Sequence, residues 1–262
     1  MVCLCRGLLF SLVGLTFTAP GQSHDPLTVT LHRQTMYQEQ VQRIKDKASM
    51  LSLKLEPVLS KPEILKLEKQ LGITFPESYK VYLTEIQNGG YSDTLHKNGP
   101  YYGIYSIEKS LSDNSEWEVD LNKEFTLIND LHFGDLYDEE EDYEKHCYRY
   151  EHDEEYIKSI QNVLDKYQNT DLLSGTLPIC EYGSGDFFRV VVNGSNAGQI
   201  WAECGIYNAS GYYSLNVDIL TFYENWLDRQ INILNKTSPK LVMAYYPELE
   251  FGNNKRYKII DD

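Results

Sequence analysis

Leu177-Pro-Ile-Cys-Glu-Tyr-Gly-Ser-Gly-Asp-Phe-Phe-Arg-Val-Val-Val-Asn-Gly-Ser-Asn-Ala-Gly-Gln-Ile-Trp201 decides the fold class. Two apolar, β-rich runs, Leu177–Tyr182 and Phe187–Val192, flank the turn Gly183-Ser184-Gly185-Asp186. A second turn, Asn193-Gly194-Ser195-Asn196-Ala197-Gly198, leads into a third run at Gln199–Glu203. Asn-Gly and Gly-rich punctuation at this spacing predicts a β-meander. Nothing in the stretch pairs a nucleophile with a base. Ser184 lacks the outer glycines of a nucleophile elbow, and Asp186 and Trp201 read as supports of the sheet rather than as contacts.

Downstream, Gly211–Leu215 is predicted as a last strand. Asp218 then caps a closing helix to about Leu234, with Ile219, Leu220, Phe222, Tyr223, Trp226, Leu227 and Ile231 inward. Upstream, Val41, Ile44, Ala48, Leu51 and Leu55 step by three and four, which predicts a helix over Met36–Leu55 that Pro57 ends. Ser60 followed by Glu63 has capping-box spacing. Ile64, Leu65, Leu67 and Leu71 give the next helix its apolar face, and Gly72 closes it. Pro76 suits a first helical turn, with Tyr79, Tyr82, Leu83 and Ile86 buried, and Gly103–Ile107 reads as the first strand. Tyr156–Tyr167 is predicted to be helical. The expected layout is a leader at 1–35, a helical extension at 36–58, one domain at 60–235 with an acidic insertion at about 108–172, and a tail at 236–262.

Within the leader, Leu8–Ala19 is apolar, Arg6 precedes it, and Ala19-Pro20-Gly21 is an approximate cleavage site. Two accounts stay open: a signal peptide and a secreted protein, or a cytoplasmic protein that effectively begins at Met36. The sequons at Asn193, Asn208 and Asn235 matter only under the first, where Asn193, in a turn, is an acceptor candidate. The apolar run is too short to span a bilayer, so no stable membrane insertion is expected.

The 262 residues carry a formal charge of −15, which argues against nucleic acid as a ligand and suits a basic protein partner. Between Asp135 and Glu155 there are 11 Asp/Glu against two Lys/Arg, so about −9 of that charge lies in 21 residues. Tyr137, Tyr143, Tyr148, Tyr150 and Tyr156 are interleaved with it. Acidic side chains studded with tyrosine supply both charge complementarity and contact area. The five cysteines show no CxxC pair, and Cys180 and Cys204 read as reduced and buried. No phosphate-binding loop or calcium loop is present, and no cofactor is expected. His146 and His152, near Cys147 and many carboxylates, sketch a metal site, but six residues apart they fall on different helix faces. The chain is expected to be a non-enzyme; a metal-dependent hydrolase using these histidines is the enzymatic alternative.

The order Leu67-Glu68-x-x-Leu71-Gly72-Ile73-x-Phe75-Pro76-x-x-Tyr79-Lys80-x-Tyr82-Leu83, Asn88-Gly89-Gly90, Gly103-Ile104-Tyr105, Leu177-Pro178-Ile179, Gly183-Ser184-Gly185-Asp186, Gly198-Gln199-Ile200-Trp201 and a C-terminal helix with Phe222 and Trp226-Leu227 resembles the SUKH superfamily. That group is named for yeast cell-wall-assembly regulators and is best known from bacterial immunity proteins. The likeness spans roughly residues 60–232 and implies an α+β fold, a mainly antiparallel sheet flanked by N-terminal and C-terminal helices. It also implies a protein-binding module: an immunity protein that occludes a cognate toxin, or a regulatory or scaffold module of the cell-wall type with no toxin partner. For the first role the candidate contacts are Asp138, Glu139, Glu140, Glu141, Asp142, Tyr143, Tyr150, Glu151, Asp153, Glu154 and Glu155, facing a basic, nuclease-like toxin domain. Ser184 departs from the family's usual third glycine, and the acidic stretch is longer than the family's usual connection.

Overall fold

The computed structural model describes residues 26–94, 97–132, 149, 152–167, 169–183, 185–204 and 211–235. Among them lie six α-helices and five strands. In chain order these are α1 (Pro26–Met50), α2 (Lys61–Leu71), α3 (Glu77–Val81), α4 (Ile107–Glu116), β1 (Leu131–His132), α5 (Glu154–Tyr167), β2 (Thr176–Gly183), β3 (Asp186–Val191), β4 (Gln199–Cys204), β5 (Gly211–Asp218) and α6 (Ile219–Leu234). A π-helical turn at Tyr82–Ile86 continues α3, and a 3-10 turn occupies Thr170–Leu173. The chain divides into two compact units, Met1–Met36 and Tyr37–Asp262, and all that follows concerns the second.

The predicted meander is the centre of the fold. β2, β3, β4 and β5 pair in sequence, all antiparallel, and β1 adds to the free edge of β5. Successive side chains of a strand point to opposite faces, so β3, β4 and β5 each serve two cores. Phe188 and Val190 of β3, Ile200 and Ala202 of β4 and Tyr213 of β5 join the main core, with Tyr79, Tyr82, Phe222, Tyr223 and Trp226 from the helices. On the opposite face Val191, Trp201 and Tyr212 pack with Phe125 and Leu173 in a smaller cluster. Trp201 is stacked edge-on against Phe125 at 5.0 Å, and Asp186 is also buried.

Local sequence rules explain the helices around the sheet. Ser60 and Glu63 form the complete capping box, and Gly72 closes α2. Ile64 is buried, but Leu65 is 64% exposed and does not belong to the apolar face. Tyr79, Tyr82, Leu83 and Ile86 are all buried. Asp218 caps α6 by accepting from the Thr221 N–H at 2.9 Å.

Two sequence-based expectations differ from the structure. The helix expected over Met36–Leu55 runs Pro26–Met50. It ends early because Ser52 takes a left-handed conformation, φ 54°, while Leu53 N–H reaches back to Ala48 O at 3.0 Å. Gly103–Ile107 is not a strand. Tyr105 N–H bonds Ile179 O at 2.8 Å beside β2, but Ser106 accepts from Lys109 N–H and starts α4, so the capping hydroxyl outcompetes strand pairing.

The α1 segment from Tyr37 onward is fastened to α6 by charge. Arg43 and Lys47 both place a nitrogen 2.9 Å from the Glu224 carboxylate, and Gln40 donates to it at 3.2 Å. Lys47 also reaches Asp228 at 2.6 Å. Burial alone would raise the Glu224 carboxyl; the donors from Arg43, Lys47 and Gln40 overcome that and hold it down at about 2.

Candidate protein-binding faces

The second face of the sheet is built over a buried ion pair. Phe187 is the register partner of Glu203, and Arg189 that of Trp201, which makes Arg189 and Glu203 diagonal neighbours on one face. Both are buried, and Arg189 Nη1 lies 2.9 Å from Glu203 Oε2. The guanidinium fork is then filled: Nε donates to Thr176 Oγ1 at 2.8 Å and Nη2 donates to Asn114 Oδ1. Asn114 in turn donates to Thr176 O at 3.0 Å, which joins α4 to β2. Burial raises the Glu203 carboxyl, and Arg189 acts against that rise. The sequence reading missed this pair; Arg189 in an otherwise apolar strand, two residues out of register with Glu203, was its one trace.

Next to the pair, the chain from Asp120 to Phe125 is pinned to the meander. Asn193 Nδ2 reaches the carbonyl oxygens of Leu121, Asn122 and Lys123 at 3.4, 3.0 and 3.2 Å. Phe125 N–H bonds Asn193 O at 2.8 Å, and Gly175 N–H bonds Asp120 O at 3.0 Å. The side chain considered as a glycan acceptor is therefore occupied in holding a loop. Gly175 has no room for more: a Cβ there would meet Asn193 O at 2.6 Å.

Between α2, α4 and this pinned loop lies a cleft of about 440 Å³. Leu71, Leu111 and Leu121 supply apolar wall, and Asn114, Glu118 and Asp120 supply polar groups. Trp117, just before Glu118, is 56% exposed. The Trp117–Asp120 run lies inside the stretch expected to set partner choice, ahead of the residues named there as candidate contacts.

Most of those expected contacts, Asp138–Asp142, Tyr143, Tyr150 and Glu151, lie outside the described residues, as do His146, Cys147 and Ser184. Of the remainder, Asp153 caps α5: its Oδ1 accepts from Tyr156 N–H at 2.9 Å, which with Arg149 lowers its carboxyl. Glu154 and Glu155 follow in the first turn and are exposed, and Tyr156 is buried beneath the Arg149 guanidinium, 3.9 Å from its ring centroid. The segment carrying the other acids leaves β1 at His132, paired with Gly211. That is the end of the sheet where Cys204 faces Gly211 and Gly183 faces Asp186.

His152 is exposed, and among the described residues no three His, Cys, Asp or Glu side chains come together as a metal site. Cys180 and Cys204 are free and buried, and burial pushes both thiols well above their ordinary value, which withholds the thiolate a nucleophile needs. No helix among the described residues is long and apolar enough to cross a membrane.

A twisted antiparallel meander closed by α6, with α2 and α3 ahead of it, is the architecture the resemblance implied. The profile of the SMI1 / KNR4 family (SUKH-1) matches residues 59–224, and the chain belongs to that family. No curated protein matches the chain, and no solved structure matches it.

Proposed function

We propose that the chain is a non-catalytic protein-binding module that neutralises a basic, nuclease-like toxin domain by occluding it. The observation that carries this reading is charge: about −9 of the −15 lies between Asp135 and Glu155, in a member of the SUKH-1 family. Nuclease domains are basic because their substrate is a polyanion, so an acidic partner is steered onto the surface that nucleic acid would use. Of the acids in this run, Glu154 and Glu155 are exposed in the first turn of α5, which the Asp153 cap sets. A cytoplasmic site of action accompanies this reading, because such a toxin is met inside the cell it threatens.

The test is capture from the native source with the full chain at low and moderate salt, followed by assay of any captured domain for nuclease activity. The expected result is a basic domain held stoichiometrically and inhibited in proportion to added protein. Neutralising Asp138–Asp142 to Asn and Gln should weaken binding mainly through a slower association rate. Capture of regulatory or cell-wall proteins alone, indifferent to that neutralisation, would overturn the proposal in favour of a scaffold module. Activity of the isolated chain that tracks bound metal and disappears in His146→Ala would favour the hydrolase.

A further inference from the structure

We infer that the cleft between α2, α4 and the Trp117–Asn122 segment is a docking site for an arginine-bearing, partly apolar peptide segment of a protein partner. It rests on the reading of the chain as a protein-binding module, but not on the partner being a toxin.

Shape, charge and rigidity converge on this occupant. The volume of about 440 Å³ falls within the range of small-ligand clefts, and its lining mixes apolar Leu71, Leu111, Val119 and Leu121 with polar and acidic side chains. Leu71, Leu111 and Leu121 suit the aliphatic stem of an arginine or a neighbouring leucine, because long cationic side chains bury the stem and keep the head polar. Glu118 stands in the wall as the carboxylate partner for the head; Asp120 adds negative charge beside it, although its Oδ1 already accepts from Asn122 N–H at 2.9 Å, and Lys123 pairs with Asp171 at 3.0 Å. Trp117 precedes Glu118 in the chain and is 56% exposed, so its emission can report on an occupant of the neighbouring cleft.

The site is held ready before any ligand arrives. Asn193 fixes the Leu121–Lys123 wall through three carbonyls, and Asn114 on the floor is locked by Arg189 and Thr176. Little ordering cost remains to be met on binding. The cleft adjoins the Thr176 end of β2, while the acidic 133–151 stretch starts at the Gly183 end.

The test uses the full chain and a short acetylated, amidated peptide of alternating leucine and arginine. Trp201 and Trp226 are buried, so Trp117 is the emission that responds. A saturable emission change is expected, weaker at high salt. Control peptides with glutamate for arginine, or glycine for leucine, should not saturate. Glu118→Lys should weaken binding about tenfold without altering the melting temperature, because φ at this residue is already 55° and lysine meets the same backbone as glutamate. Neutralising Asp138–Asp142 should leave peptide affinity unchanged. Absence of saturable binding, equal binding of the glycine-for-leucine peptide, or an unchanged affinity in Glu118→Lys would overturn the inference. Peptide binding that fails in a chain that still captures a basic toxin domain, when the Asp138–Asp142 variant loses that domain, overturns the cleft assignment and leaves the proposed function standing.

Discussion

Replacing Arg189 by Met tests whether the second face of the sheet is held by charge. Methionine fills much the same length of side chain, so the change is mainly electrostatic. It removes the partner 2.9 Å from the Glu203 carboxylate, the donor to Thr176 Oγ1 at 2.8 Å and the donor to Asn114. Breaking a buried ion pair from one side costs about 3–5 kcal/mol, because the remaining charge is stranded without water. A small domain has about 5–15 kcal/mol in total, so the loss is a large fraction of its stability.

The assay is urea unfolding of the native chain, Arg189→Met, and the double variant Arg189→Met/Glu203→Leu. The double variant should recover most of the loss, since two apolar groups of similar shape replace the pair. The pH dependence has a definite sign. Burial already raises the Glu203 carboxyl, and without Arg189 it rises further. A carboxyl whose folded value lies above its unfolded one contributes stability in acid and loses it as pH rises through the folded value. The gap between Arg189→Met and the native chain should therefore be wider at pH near 7 than near 5. A single variant that costs under about 1 kcal/mol, or a gap that does not change with pH, would refute the account of a closed buried pair.

Three further outcomes are expected. The Glu224 carboxyl, held at about 2 against an ordinary 4.5, contributes stability that is present above about 4.5 and lost as pH falls toward 2; the shift amounts to about 3 kcal/mol by linkage, reduced to about 1–2 by solvent around Arg43, whose side chain is 53% exposed. Glu224→Gln should flatten the acid limb of a stability–pH curve by that amount, and an unchanged limb would place the acid sensitivity elsewhere. Asn193→Asp removes the amide donor to three carbonyls and sets a carboxylate against them; about 2 kcal/mol of stability should go, with faster hydrogen exchange at Phe125, and an unaltered exchange rate would count against the pinned loop. Ser60→Ala should lower stability by about 1 kcal/mol in chemical denaturation, and no change would mean that Glu63 alone sustains the cap.

The legible part of the fold was local. Strand runs, the Ser60–Glu63 box, the Gly72 stop and the Asp218 cap are each set by residues within a few positions of one another, and they are found where the sequence placed them. Leu65 misled because a step of one residue on a helix is a rotation of about 100°, enough to turn a leucine from core to water. Ser106 misled because the β-rich pentapeptide Gly103–Ile107 also contains a capping residue, whose hydroxyl starts α4. The longest-range features had no sequence signal at all. Gln87 is fully buried, donates to both Tyr82 and Tyr223 hydroxyls at 3.0 and 3.3 Å, and accepts from Glu56 N–H; only the folded chain brings those groups together. The same holds for the cleft, whose walls come from α2, α4 and a loop fastened by Asn193.

The division of labour in the chain follows from where its charges sit. Arg189 and Glu203 occur inside the sheet, and the bonds from Thr176 and Asn114 satisfy the guanidinium there. A mutation in that group is felt as stability. The dense acids of 133–151 follow β1, whose last residue pairs with Gly211 beside Cys204 and near the β2–β3 turn, so they are joined to the platform at its rim. Substitutions of exposed acids outside both cores, such as Glu154 and Glu155, change potential and contact chemistry at little cost to folding. A binding module built this way can alter its partner choice while its two cores stay fixed. On that logic, variants of Asp138–Asp142 should move association rates with melting temperature unchanged, and variants of Arg189 should do the reverse.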